Sequence, residues 1–87
     1  SSIMFYYVTK SIIEDDGNVK EFIIKQTKID TFEIEYVAEK ELVSEQIQKI
    51  KEAIDLYLEP NLHFTFTRKA VLERTNRGKL KQFKSYL

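Results

Sequence analysis

The chain has 87 residues, 43% apolar and 32% charged, with two glycines and one proline. That fits a single globular domain burying roughly two thirds of the surface its unfolded chain exposes, with no room for a separate catalytic half. The absence of cysteine excludes disulfides and thiolate metal sites and makes the reducing cytoplasm the expected compartment. The longest apolar run, Ile3 to Val8, is far shorter than the roughly 18 residues a membrane span needs, and no cleavable signal pattern precedes it. The formal charge is zero, yet residues 68–87 hold seven of the fourteen basic residues and one acid, Glu73, a local charge of +6. The first 67 residues carry −6. Such an asymmetry sets a local potential that attracts anions, although a terminal run of charge is as readily a solvated surface.

The first segment is aromatic and β-branched, but Met4, Tyr7/Val8 and Ser11/Ile12 recur at helical spacing, so a helix is expected there. Asp15-Asp16-Gly17-Asn18 is a turn, since it lacks the alternating ligands and closing glutamate of a calcium loop. Phe22, Ile24 and Gln26, then Phe32, Ile34 and Tyr36, follow period two and predict two strands joined by a hairpin at Lys28-Ile29-Asp30. The intervening Glu33 and Glu35 are expected on a solvated surface. Ser44 is the expected cap of a helix whose stripe is Ile47, Ile50, Ile54, Tyr57 and Leu58. Pro60 ends it, and Leu62, Phe64 and Phe66 alternate with His63, Thr65 and Thr67 as a third strand. The expected fold is α+β, in the order α-β-β-α-β plus a basic C-terminal loop. It has a small, mostly antiparallel three-stranded sheet with two helices on one face.

Within the basic stretch, Gly78 beside Lys79 forms a cationic loop in which the backbone can come close to a ligand and the lysine offers a compact charged donor. Phosphate or carboxylate is the matching chemistry. A second glycine and a following helix are lacking, so a nucleotide P-loop is excluded.

A strand ending in Phe66-Thr67, the trio Ala70-Val71-Leu72, and Arg74-Thr75-x-x-Gly78-Lys79 together resemble the closing segment of the adenylate-forming (AMP-dependent) synthetases and ligases. Glu21-Phe22-x-x-x-Gln26 and Phe32-Glu33-Ile34 look like the paired strands of the branch holding phenylacetate-coenzyme A ligases and capsular polysaccharide biosynthesis proteins. The resemblance covers nearly the whole chain. It implies that residues 1–87 are one C-terminal lid domain, a fragment of a larger ligase and inactive alone. Lys79 would then be the catalytic lysine of carboxylate adenylation, with Arg74, Thr75 and Gly78 framing the nucleotide and substrate. The partners implied are the N-terminal large domain and a carboxylic acid. ATP with magnesium, and coenzyme A as a candidate acceptor, would be handled by the parent enzyme, with no cofactor or metal held by this fragment. Two positions depart from the family pattern: Glu73 stands where proline is usual, and Arg77 where a small residue is common. Glu73 can pair with a basic neighbour, and Arg77 adds charge.

His63 is the sole histidine and has no second ligand type beside it, which argues against a metal site. Phe83 and Tyr86, interleaved with Lys81 and Lys84, are a sparse platform for nucleic acid. Two other readings therefore stand beside the ligase lid. One is a non-catalytic module binding an anionic ligand or RNA through the basic loop; the other is a domain serving only contacts with its parent chain or another copy of itself.

Overall fold

The computed structural model describes residues 18–57, 60–81 and 83–87. The expected first helix and most of the Asp15–Asn18 turn lie outside them. The described elements are β1 (Val19–Lys28), β2 (Thr31–Ala38), α1 (Ser44–Tyr57), β3 (His63–Arg68) and β4 (Phe83–Ser85), and the strands form one sheet in the order β3-β2-β1-β4.

The hairpin is as expected. β1 and β2 run antiparallel with Phe22 opposite Tyr36, Ile24 opposite Ile34 and Gln26 opposite Phe32, so the period-two apolar positions share one face. Ile29 and Asp30 make the turn, and Thr31 Oγ1 donates to Asp30 Oδ1 at 3.0 Å. On that face Phe22, Ile24, Phe32, Ile34 and Tyr36 join Ile50 and Ile54 of α1 in the core, with Ile47, Leu62, Phe64 and Phe66 packed around them. Of the helical stripe read from the sequence, Ile50 and Ile54 are buried and Ile47 is half-buried, while the side chains of Tyr57 and Leu58 lie outside what the structure describes. The first turn of α1 closes one residue before the expected Ser44 cap, because Gln46 Oε1 accepts from the Val43 N–H at 2.8 Å and Ile47 N–H bonds to Val43 C=O at 3.1 Å. Tyr36 uses its buried hydroxyl to accept from the Leu42 N–H at 2.9 Å, fixing the connection that leads into α1.

The α+β class holds, but the sheet is four-stranded and mixed, where three mostly antiparallel strands were expected. β3 lies parallel to β2, with Phe32 opposite Phe64 and Ile34 opposite Phe66. A helix crossing the sheet returns the chain to the starting end, so the strand after it runs in the same direction as the strand before it. β4, expected as loop, lies parallel to β1, with Ile24 opposite Phe83 and Gln26 opposite Ser85. To reach it from β3, the chain must pass from one edge of the sheet to the other.

It does so over the face away from α1. Lys69 reaches Glu35 and Arg74 reaches Glu21, both of which point to that side, opposite their neighbours Ile34 and Phe22. Ile23, 0% exposed, and Leu72 are buried outside the helix-side cluster. Burial of Glu35, at 8% exposure, corrects the expectation of a solvated acidic strand. The irregular basic segment covers it.

Candidate functional site

The loop at Thr75–Lys79 is built by its own backbone. Gly78 N–H donates to Thr75 C=O at 2.8 Å, closing a four-residue turn, and Thr75 N–H donates to Lys79 C=O at 2.9 Å. This is a three-residue hairpin loop in which a left-handed residue follows the turn, and Gly78 supplies that residue with φ 77°. A Cβ at Gly78 would meet no atom within 4 Å, so the glycine is required by backbone conformation and the space beside it is open. Thr75 closes the loop a third time, its Oγ1 accepting from the Lys79 N–H at 3.1 Å. Thr75 and Gly78 therefore hold the shape from which the Lys79 side chain projects.

Four of the seven cations in this segment are bound within the fold. Arg68 donates from Nε to Ala38 C=O at 2.9 Å and from Nη2 to Glu39 C=O at 2.6 Å. The Lys69 ammonium lies 3.8 Å from Glu35, Arg74 is ion-paired and hydrogen-bonded to Glu21, and Lys84 lies 3.5 Å from Glu73. The remaining three, Arg77, Lys79 and Lys81, are exposed, and among the described residues none of them enters an ion pair. Of the sequence-derived site residues, the structure brings Thr75, Gly78 and Lys79 into one closed loop. It commits Arg74 to anchoring that loop on β1. The free positive charge is thus narrower than the +6 of the segment.

Sequence reasoning missed a second charged group, beneath the covering segment. Lys25 Nζ lies 3.0 Å from Glu35 Oε1, and Lys69 Nζ lies 3.8 Å from Oε2. Burial works to raise the Glu35 carboxyl. It is outweighed by the hydrogen bond from Lys25 and by the charges of Lys25 and Lys69, so the carboxyl sits below its ordinary range. The Lys25 ammonium is held above its ordinary value, chiefly by its hydrogen bond to Glu35, against a smaller opposing effect of burial. The signal that could have located this group is the alternation Glu33-x-Glu35 opposite Lys25, which in an antiparallel pair places acid and base on one face.

His63 is exposed, with Nε2 4.0 Å from Asp30 Oδ2, beside a shallow pocket of about 360 Å³ lined by Lys51, Asp55, Leu62, Phe64 and Thr65. Among the described residues, no group of three or more His, Cys, Asp or Glu side chains is placed to hold a metal ion. No helix among them is long and apolar enough to cross a membrane. No protein-family model and no curated protein sequence matches the chain.

Proposed function

We propose that the chain is the C-terminal lid domain of an AMP-forming acyl-activating ligase of the phenylacetate-coenzyme A ligase-like or capsular polysaccharide branch, with Lys79 as the lysine it delivers to a carboxylate being adenylated. The observation that carries this reading is the division of labour among the cations. Arg68, Lys69, Arg74 and Lys84 fasten the segment to the sheet, and Lys79 remains exposed and unpaired on a loop stiffened by three hydrogen bonds. A cation presented on a fixed loop can meet the charge that builds up as a carboxylate attacks the α-phosphate of ATP, and lowers the barrier without reorganising at that moment. Carrying it on a lid lets it withdraw before acyl transfer to a thiol such as coenzyme A.

The pockets for adenine, ribose, the carboxylic acid and magnesium would belong to a large partner domain, so this chain alone has no activity in this reading. In the full-length ligase, Lys79→Ala should abolish carboxylate-dependent ATP–pyrophosphate exchange while thioester formation from a supplied acyl-adenylate persists. Undiminished exchange in that variant excludes the role.

A second reading is favoured by one observation, the exposure of Phe83 (37%) and Tyr86 (58%) beside Lys81. Cations alternating with exposed rings can hold a single-stranded polyanion such as RNA without catalysis. Binding whose affinity falls linearly with the logarithm of salt concentration would support it, with a slope set by about three phosphates.

A further inference from the structure

The two edges of the sheet are unlike. β4 is three residues long and carries Lys84, and its chain continues along β1 through Tyr86 N–H to Gln26 C=O at 2.9 Å. Short length and an edge lysine are the usual protections against unwanted pairing. β3, at the opposite edge, is six residues long and reads His63-Phe64-Thr65-Phe66-Thr67-Arg68, without proline, lysine or an irregularity in its register with β2. His63 N–H bonds to Asp30 C=O and Lys69 N–H to Tyr36 C=O, both at 2.8 Å. Strand groups alternate sides, so the odd residues face β2 while Phe64, Phe66 and Arg68 direct their N–H and C=O groups outward. Among the described residues, no strand takes them up.

We propose that this edge pairs antiparallel with β3 of a second copy of the chain, about a twofold axis through Thr65, joining two four-stranded sheets into one of eight. The sequence is self-complementary in that register. Phe64 faces Phe66 of the second copy and exchanges two backbone hydrogen bonds with it, Thr65 faces Thr65, His63 faces Thr67, and Leu62 faces Arg68. No like charges oppose one another, and aromatic meets aromatic and hydroxyl meets hydroxyl, the cross-strand pairs that stabilise a sheet. The aromatic row already exists within one copy: Phe32 and Phe64 stack with centroids 5.2 Å apart and rings 14° from parallel, and Phe66 continues the Ile24–Ile34 row. Phe64 and Phe66 are only half-buried, so pairing removes further aromatic surface from water.

The pocket beside the edge fits the same partner. Lys51 and Asp55 of α1 line it, and a twofold normal to the sheet sets the two helices antiparallel on one face, so the base and acid of each copy run in the opposite order to those of the other. The edge lies across the sheet from β4, so the inference stands apart from the role proposed for Lys79.

Light scattering and sedimentation of the 87-residue chain test it. The wild type should show a concentration-dependent monomer–dimer equilibrium. Thr65→Lys and Thr65→Glu each place like charges opposite at the axis, and each should weaken dimerisation roughly tenfold or more while leaving the far-ultraviolet circular dichroism unchanged. An equimolar mixture of the two variants should recover the dimer, since lysine then faces glutamate. A wild-type chain that stays monomeric up to millimolar concentration overturns the proposal, as does a dimer indifferent to either substitution or a mixture that does not recover.

Discussion

The two faces of the sheet are covered by different means. On one, Phe22, Ile24, Phe32, Ile34 and Tyr36 pack against Ile50 and Ile54 of α1, and the cohesion is hydrophobic and tolerant of small shifts. On the other, an irregular strand-to-strand segment is fastened by discrete ion pairs, Lys69 to Glu35 and Arg74 to Glu21. Cohesion of the first kind builds the domain, and cohesion of the second kind aims a loop. The two should fail differently.

Ile54 tests the helix face most severely. At 1% exposure, its truncation to alanine leaves a cavity between α1 and the sheet and should cost about 2–5 kcal/mol, read as a lowered denaturant midpoint with little change in slope. On the opposite face, Glu35→Ala leaves Lys25, whose side chain is 18% exposed, without its carboxylate, and should cost about 3 kcal/mol. Replacing the pair together, as Lys25→Met with Glu35→Leu, should restore most of that loss, because the ions are costly to bury even when matched. A double variant as unstable as Glu35→Ala would show that the pair is a net source of stability.

The same pair makes the second face the acid-sensitive one. The Glu35 carboxyl is depressed in the fold, so its contribution is fully present above the ordinary carboxyl value of 4.5 and is lost as pH falls through the lower folded value. Lys25 is raised, so its contribution is complete below 10.5 and is lost only as pH rises through the higher folded value. Thermal midpoints should therefore show a Glu35-dependent plateau between these limits and an acid limb below it. In the Lys25→Met/Glu35→Leu variant that limb should be shallower.

The contrast between the faces also explains what could be read from the chain. The hairpin and α1 announce themselves because a half-buried strand must alternate and a half-buried helix must repeat at its own period, as Phe32-Glu33-Ile34 and Ile47–Ile50–Ile54 do. Strand order carries no such local mark. β4 joins β1 because of where the covering segment lands, and Phe83-Lys84-Ser85 looks like loop until β1 is beside it. Glu35 read as solvated for a related reason: its cover is an irregular stretch without a period. Within the loop, Gly78 and Lys79 were visible as a pattern. The glycine's conformational role and the bond from Arg74 to a residue 53 positions earlier required the fold.

Gly78 gives a smaller effect that sharpens the same contrast. Alanine there meets open space but must adopt φ near 77°, so Gly78→Ala should cost about 1–2 kcal/mol of loop conformation without disturbing the core. Amide exchange should accelerate at Gly78 and Lys79, whose N–H groups close the turn, and remain slow in β1 and β2.

Arg74 gives the least change in stability and the clearest separation of anchoring from presentation. Its side chain is 42% exposed and that of Glu21 31%, so in water the pair contributes at most about 1 kcal/mol, and Arg74→Ala should barely move the unfolding midpoint. The loop, however, would lose the bond that ties the residue immediately before it to β1. Faster backbone motion confined to residues 72–81, with β1 and β2 unchanged, would identify Arg74 as the residue that positions Lys79. Glu21→Gln should reproduce that pattern, because it removes the same tie from the other end while leaving every cation of the loop in place. If Arg74→Ala weakens anion binding and Glu21→Gln leaves both motion and binding untouched, then Arg74 meets the ligand itself and the pair with Glu21 is only its resting position.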